Sequence, residues 1–339
     1  METIDWGSLG FGYVKTDYNV RSYFRDGKWG ELEVHTEETI TMPMAATCLH
    51  YGQEAFEGLK AFRGKDGKVR IFRPEENAKR MKNTADYIRM ECPDEKFYVD
   101  AVKKVVELNE KYVPPYGTGA SLYIRPLLIG TGAQVGVSPS NEYLFMIFVT
   151  PVGPYYKNGF KPIDVLVDRR HDRAAPLGTG HTKIGGNYAA SLESSYWAKT
   201  EGYSIVLYLD AKEKKYIDEC GTSNFFGIRD NTYITPSSHT ILPSITNKSL
   251  RTIAEDLGMK VEARNVEFAE IPTFEEAGAC GTAAVITPIN KIVDIDHEKI
   301  YQIAKDGQPG PWTMKLYEQL VGIQNGDLPD THNWNLLIG

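Results

Sequence analysis

Lys183 lies in the segment Leu177-Gly178-Thr179-Gly180-His181-Thr182-Lys183-Ile184-Gly185-Gly186-Asn187-Tyr188. Four glycines fall within nine positions there, so the backbone can turn tightly and come close to a flat ligand. Two nucleotide motifs can be tested against the segment, and both fail. A dinucleotide fingerprint needs its third glycine where Lys183 stands, and a phosphate loop needs Ser or Thr where the chain has Ile184. What remains is an amine on a permissive turn with Tyr188 five residues on, which suits a lysine that forms a Schiff base with a carbonyl ligand. Taken alone, the segment is equally readable as a glycine-rich surface loop with a solvated lysine.

Four further blocks decide between those readings. They are Phe56-Glu57-Gly58-Leu59-Lys60-Ala61-Phe62, Tyr123-Ile124-Arg125-Pro126, Glu219-Cys220-Gly221-Thr222-Ser223-Asn224 and Gly281-Thr282-Ala283. With the lysine segment, and in the same order, they resemble the branched-chain amino acid aminotransferases, fold-type IV enzymes that use pyridoxal 5′-phosphate (PLP). The resemblance runs from about Phe11 to Trp334. It implies a mixed α/β architecture with a smaller N-terminal α/β domain over 1–155, a linker over 156–165, and a larger PLP-binding domain over 166–339. That larger domain is expected to hold a pseudo-barrel of strands flanked by helices.

The resemblance also assigns residues. Lys183 matches the lysine that binds the PLP aldehyde and then moves the substrate Cα proton. A lysine serves as that base when burial or a neighbouring cation lowers its pKa. Glu219 matches the glutamate at the ring nitrogen, where a carboxylate keeps the pyridine protonated. Tyr188 matches the tyrosine at the ring's phenolic oxygen, and Thr222 belongs to the same cofactor set. The phosphate falls to Ile245 and Thr246, to Thr282 and to Arg80. Ser244-Ile245-Thr246 opens an expected helix, whose N-terminus offers unpaired N–H donors and a favourable dipole.

The substrate pocket must take an apolar side chain and the γ-carboxylate of glutamate in turn. Aromatic rings with hydroxyl tips can do both. Phe11, Tyr51, Phe56, Tyr123 and Tyr155 match family pocket positions. Arg125 aligns with an arginine near the substrate carboxylate, and Ala283 with a backbone N–H donor to it. The implied reaction passes an amino group from L-leucine, L-isoleucine or L-valine to 2-oxoglutarate, in a homodimer. Fold-type IV rivals are a D-amino acid transaminase and an aminodeoxychorismate lyase. A rival of another class is a catalytically silent PLP-binding relative. One departure stands out: some animal members carry a CxxC redox pair after the Gly-Thr-Ala block, and here the aligned residues are Ala284 and Thr287.

The elements that must position these residues can be read from pattern. Leu32–Ile40 reads as a strand and Leu59–Phe72 as a hairpin across Asp66-Gly67. A helix is expected from Pro74 to about Met90, with Ala78, Met81, Ala85 and Ile88 on one stripe. A second is expected from about Val99 to Tyr112, ending before Pro114-Pro115. Strands follow at Ser121–Ile129 and Tyr143–Val149, and Pro151–Gly159 is the breaker-rich link. The second half predicts strands at Ile163–Val167, Ser204–Leu209, Tyr216–Asp218, Phe225–Ile228 and Gly281–Pro288. Helices are expected near Ala189–Thr200, Ser244–Leu257 with Gly258 as its stop, and Trp312–Ile323.

Composition narrows the class. The chain has 339 residues, enough for two domains of ordinary size, with 42% hydrophobic and 24% charged residues, as in soluble globular proteins. A net charge of −7 and a pI near 5.6 argue against nucleic acid or an anionic membrane as partner. Cys48, Cys92, Cys220 and Cys280 lack CxxC spacing, so no zinc site or disulfide framework is expected. The acidic opening segment does not read as a signal peptide, and the expected location is cytoplasmic.

Overall fold

The computed structural model describes residues 4–156 and 159–338. In chain order its regular elements begin with β1 (Asn19–Arg25), β2 (Lys28–Trp29), β3 (Glu33–His35), α1 (Thr47–Tyr51), β4 (Glu54–Phe56), β5 (Leu59–Arg63), β6 (Val69–Phe72), α2 (Pro74–Tyr87), α3 (Glu95–Leu108), β7 (Ser121–Gly130) and β8 (Tyr143–Val152). They continue with β9 (Ile163–Asp168), α4 (Gly185–Ala190), α5 (Leu192–Thr200), β10 (Ile205–Leu209), β11 (Ile217–Cys220), β12 (Ser223–Arg229) and β13 (Thr232–Pro236). The last are α6 (Ile245–Asp256), β14 (Lys260–Arg264), β15 (Glu276–Gly281), β16 (Val285–Asp294), β17 (Lys299–Gln302), α7 (Pro311–Asn325) and β18 (Asn335–Ile338).

The chain divides into two compact units. The first holds Met1–Lys157, Thr182–Gly185 and Gly322–Gly339, and the second holds Asn158–His181 and Gly186–Val321. The division at 157/158 falls inside the expected linker, where Lys157 and Asn158 lie outside the described residues. The expectation of one continuous second domain to residue 339 differs from this arrangement at its end. Asn335–Ile338 pairs antiparallel with Val69–Phe72, so the C-terminus closes the first unit's sheet.

That first sheet runs β18-β6-β5-β7-β8-β1-β2, with β4 on β7 and β3 on β1. Its spine is β7 against β8, paired without a break from Ser121↔Val152 to Gly130↔Tyr143. The β8 sequence Tyr-Leu-Phe-Met-Ile-Phe-Val is rich in the aromatic and branched residues that pack well on a pleat, and pairing carries it on through Pro151. Helices α2 and α3 supply apolar faces to the same core. Ala78, Met81 and Ala85 are buried from α2, and Tyr98, Ala101, Val102, Val105 and Val106 from α3. Helix α3 starts at Glu95, earlier than pattern alone suggests, because the Asp94 side chain accepts the Phe97 N–H at 2.7 Å. The strand expected over Leu32–Ile40 shortens to Glu33–His35. Beyond it the Glu37 and Thr39 carbonyls turn to the Arg21 guanidinium, at 2.6 and 3.2 Å, instead of a neighbouring strand.

In the second unit six strands close on themselves in the order β11-β10-β9-β16-β15-β12, with β12 pairing back to β11. The pseudo-barrel is therefore a true ring of pairings, filled by Val165, Val167, Leu207, Leu209, Phe225, Ile289 and Ile292. Strands β13 and β14 extend from β12, and β17 adds to β16. The strand expected over Gly281–Pro288 is two strands joined at Thr282-Ala283-Ala284. Its far side is held by Val285 at φ +67°, a left-handed conformation that a β-branched residue adopts only when its surroundings impose it. No helix of the described residues is long and apolar enough to cross a membrane.

Two predictions concern this scaffold. Trp334, 8% exposed, meets the Phe72 ring at 5.8 Å and lies under the Arg73 guanidinium at 4.7 Å. Trp334→Ala should cost about 3–5 kcal/mol and lower the melting temperature by at least roughly 6 °C in a thermal scan. A melting point within a degree of wild type would detach the C-terminal strand from the first unit's stability. The buried thiols of Cys220 and Cys280 sit on barrel strands, and burial pushes Cys220 well up and Cys280 up to about 12. Raised pKa values keep both protonated at neutral pH, so a disulfide reagent should leave them unreacted until the chain unfolds or the pH climbs toward their titration. Rapid labelling at pH 7, mapped to either residue, would contradict that burial.

Candidate active site

Lys183 belongs to the first unit, whose elements hold its backbone from both sides. Its N–H donates to Thr84 Oγ1 of α2 at 3.0 Å, and its carbonyl accepts the Phe56 N–H of β4 at 3.1 Å. Two residues on, the Gly185 N–H donates to Glu54 Oε1. A side chain at Gly185 would strike that carboxylate, which explains one of the segment's glycines as a close approach. Burial pushes the Glu54 carboxyl up, opposed by the Gly185 N–H and the charge of Arg125. The lysine is thus presented by a fixed backbone, and its Nζ stands 4.8 Å above the Phe56 ring.

Around it lies an aromatic cluster with two cations. Phe11 meets Tyr123 edge-on at 5.7 Å, and the Arg125 guanidinium lies 5.1 Å from the Phe56 centroid and 5.2 Å from that of Tyr123. Arg125 Nη2 donates to the Tyr123 hydroxyl at 3.0 Å, while its buried Nε has no hydrogen-bond partner among the described residues. Lys60, on the neighbouring strand, sits 5.7 Å over Phe11, and burial lowers its amine to about 8. Gly58 leaves room for the Tyr123 ring, since a Cβ there would meet Tyr123 Cζ at 2.9 Å. Phe11, Phe56, Tyr123 and Arg125 are therefore neighbours. Tyr51 donates its hydroxyl to the Val135 carbonyl, and Tyr155 packs against Tyr156 at 5.0 Å.

Arg80 projects from α2 into a buried polar knot. Its Nε and Nη2 donate to the two Glu57 oxygens at 2.8 and 2.7 Å, and Asn77 Nδ2 donates to Glu57 Oε2 at 2.7 Å. Sequence reasoning named Arg80 and missed Asn77 and Glu57, although Glu57 lies inside a quoted block. One helical turn places Asn77 and Arg80 on the same face.

The second unit holds the acidic centre. Glu219 lies on β11, 2% exposed, and its Oε1 accepts the Leu242 N–H at 2.6 Å and Arg173 Nη2 at 3.0 Å. The segment that brings Leu242 is bolted in place by Asn224, whose Nδ2 donates to the Leu242 carbonyl at 3.1 Å. Asn224 in turn takes a hydrogen bond from Asn247 of α6 at 3.0 Å. Helix α6 is capped by Ser244 Oγ on the Asn247 N–H at 3.2 Å, which leaves Ile245 and Thr246 in the first turn with N–H groups aimed out of the helix. Thr282 and Ala283 occupy the β15–β16 turn, Thr222 the exposed β11–β12 turn, and Tyr188 lies half-buried on α4. Arg173 went unnoticed because it is one of three arginines in Arg169–Arg173, with no spacing to single it out.

The donor set suits a cofactor with a phosphate, a basic ring nitrogen and a carbonyl. Taken unit by unit, the first holds a tethered amine and the second a buried carboxylate and a helix N-terminus, the kinds of group such a molecule requires. Comparisons with known proteins agree. The amino-transferase class IV model matches residues 54–292. The branched-chain-amino-acid aminotransferase of Haemophilus influenzae is 46% identical over 98% of this chain and 98% of its own, and that of Helicobacter pylori is 43% identical over 100% and 99%. The crystal structure of the Escherichia coli branched-chain amino acid aminotransferase superposes with a TM-score of 0.80 at 26% identity, covering 96% of this chain and 99% of that one. The branched-chain amino acid aminotransferase from Thermobaculum terrenum, in its PLP-form, gives 0.79 at 25% identity, over 96% and 99%. The chain belongs to the class IV aminotransferases, PLP-dependent enzymes, and within them to the branched-chain amino acid aminotransferases.

Proposed function

We propose that the chain transfers the amino group of L-leucine, L-isoleucine or L-valine to 2-oxoglutarate, with the residues above in defined roles. The observation that carries this reading is the pairing of an apolar ring cluster with Arg125, whose buried Nε is open to an acceptor. Phe11, Phe56 and Tyr123 can bury a branched aliphatic side chain, and Arg125 can meet the γ-carboxylate of 2-oxoglutarate in the same space. Tyr51 and Tyr155 are proposed as outer pocket residues. They are 40% and 52% exposed, as Phe11 is at 52%, which supports a homodimer whose second copy covers these rings. Four free cysteines suit a cytoplasmic location.

What bound PLP supplies is an aldehyde to take up the amino group and a ring to draw electrons from the substrate Cα. The protein supplies the rest. Lys183 anchors the aldehyde and carries the proton to and from Cα, from a backbone fixed by Thr84, Phe56 and Glu54. Glu219 holds the proton on the ring nitrogen, itself kept ionised by Arg173 and the Leu242 N–H. Tyr188 donates to the ring's phenolic oxygen. The N–H groups of Ile245 and Thr246, with Thr282, Thr222 and the Glu57-locked guanidinium of Arg80, are assigned to the phosphate end. Ala283 N–H receives the substrate α-carboxylate.

Three variants test these roles. Lys183→Ala should abolish transamination of leucine and leave no borohydride-reducible cofactor adduct, while Glu219→Gln should slow the Cα proton step by about 10²-fold or more with the fold intact. Turnover near wild type in either variant would remove that residue from the chemistry. Arg125→Met should raise KM for 2-oxoglutarate by roughly tenfold or more, as expected for a lost charged contact, and change KM for leucine far less. Equal losses for both substrates would mean that Arg125 shapes the pocket and does not read the acidic side chain.

A further inference from the structure

Arg173 serves two carboxylates, and only one of them has a role so far. Asp218 is the neighbour of Glu219 on β11 and leaves the strand on the opposite face. It lines a cavity of about 640 Å³ together with Tyr216, Ser238, His239 and Thr240. Its Oδ1 accepts the Thr240 hydroxyl at 2.9 Å, and Ser238 Oγ lies 2.6 Å from that same hydroxyl. Its Oδ2 is buried without a hydrogen-bond partner among the described residues, in a side chain only 3% exposed.

The Thr240 backbone carries the connection onward. Its carbonyl accepts Arg173 Nη1, which also donates to the Gly180 carbonyl at 3.1 Å, and Arg173 Nη2 reaches Glu219 Oε1 at 3.0 Å. Gly180 has no room for a side chain, because a Cβ would stand 2.8 Å from the Thr240 carbonyl carbon. The path Asp218–Thr240–Arg173–Glu219 is thus continuous and packed.

Charge explains what the path does. An arginine alone beside Glu219 would satisfy that carboxylate and weaken its hold on a second cation. A second anion on the far side of Arg173 restores the balance, since two anions and one cation leave one net negative charge for one protonated ring nitrogen. In a low-dielectric interior such charges act strongly over these distances. We propose that Asp218 is a positioning residue that, through Thr240 and Arg173, keeps Glu219 able to hold a protonated ring nitrogen. The proposal rests on the role given to Glu219 above. Burial pushes the Asp218 carboxyl up, Thr240 and Arg173 oppose it, and Asp210 and Lys214 are the other charges acting on it.

The test uses PLP-loaded Asp218→Asn, isosteric and neutral, beside Glu219→Gln. Asp218→Asn should lower kcat roughly tenfold, short of direct removal of the partner. KM for leucine should change less than about twofold, because the effect falls on the proton step and not on binding. The isotope effect with Cα-deuterated leucine should increase, and the cofactor's visible absorbance should change its pH response toward loss of the ring proton at lower pH. Thr240→Val, which cuts the hydroxyl link without altering a charge, should move the same readouts in the same direction by less, and stands in if Asp218→Asn does not fold. An unchanged isotope effect and absorbance, whether with native kcat or with only a lower melting temperature and weaker PLP binding, would overturn the proposal. If Glu219→Gln is also unaltered, the Glu219 role falls with it. If Glu219→Gln is slow and Asp218→Asn is not, the proposal alone falls.

Discussion

A carboxylate taken down to 2% exposure needs fixed donors and a cation in place of the water it has lost, and much of the second unit's local order follows from supplying them to Glu219. The replacement comes from three directions. Strand β11 brings the carboxylate, the segment before α6 brings the Leu242 N–H, and the segment after β9 brings Arg173. None of the three could drift without leaving a buried charge uncompensated. Asn224 and Asn247 hold the middle element by hydrogen bonds to its backbone and to each other, so the same bonds that aim Leu242 at Glu219 also set the start of helix α6. One polar network therefore fixes both the Glu219 carboxylate and the first turn of helix α6.

The first unit solves a different problem, that of holding a flexible side chain's root still. Lysine has four rotatable bonds, and the chain fixes its root through the backbone. Thr84, Phe56 and Glu54 take up three backbone polar groups of the lysine segment, which a glycine-rich loop could otherwise satisfy only with water. The Arg80–Glu57–Asn77 knot reinforces α2, the helix that carries Thr84. A buried pair of this kind contributes little net stability, but removing one partner is costly, so it confines the helix to one placement.

How much of this was legible varied with the range of the interaction. The hairpin over Leu59–Phe72, the start of α2 at Pro74, the Ser244 cap and the Gly258 stop of α6 were readable because each is decided within a few residues by turn chemistry or capping. Apolar spacing alone points to about Val99 for the start of α3, and the Asp94 cap moves it to Glu95. The split of Gly281–Pro288 into two strands was hidden because Thr282-Ala283-Ala284 carries none of the Gly, Pro, Asn or Asp that mark a turn, and the left-handed conformation falls on Val285.

By itself the sequence determined the amine at Lys183, its glycine frame, the carboxylate at Glu219 and the order of the five blocks, all carried by residue types that few other chemistries require. It also determined the absence of the CxxC pair, a matter of identity alone. Tertiary structure decided which charges meet. Arg173 finds Glu219, Arg80 finds Glu57, Asp218 reaches Thr240, and the last strand returns to the first sheet. Each of these pairs is remote in the chain and obeys no period. Which cation a buried acid receives depends on how strands close into a ring and where helices pack, and that is settled by the burial of apolar surface over the whole unit.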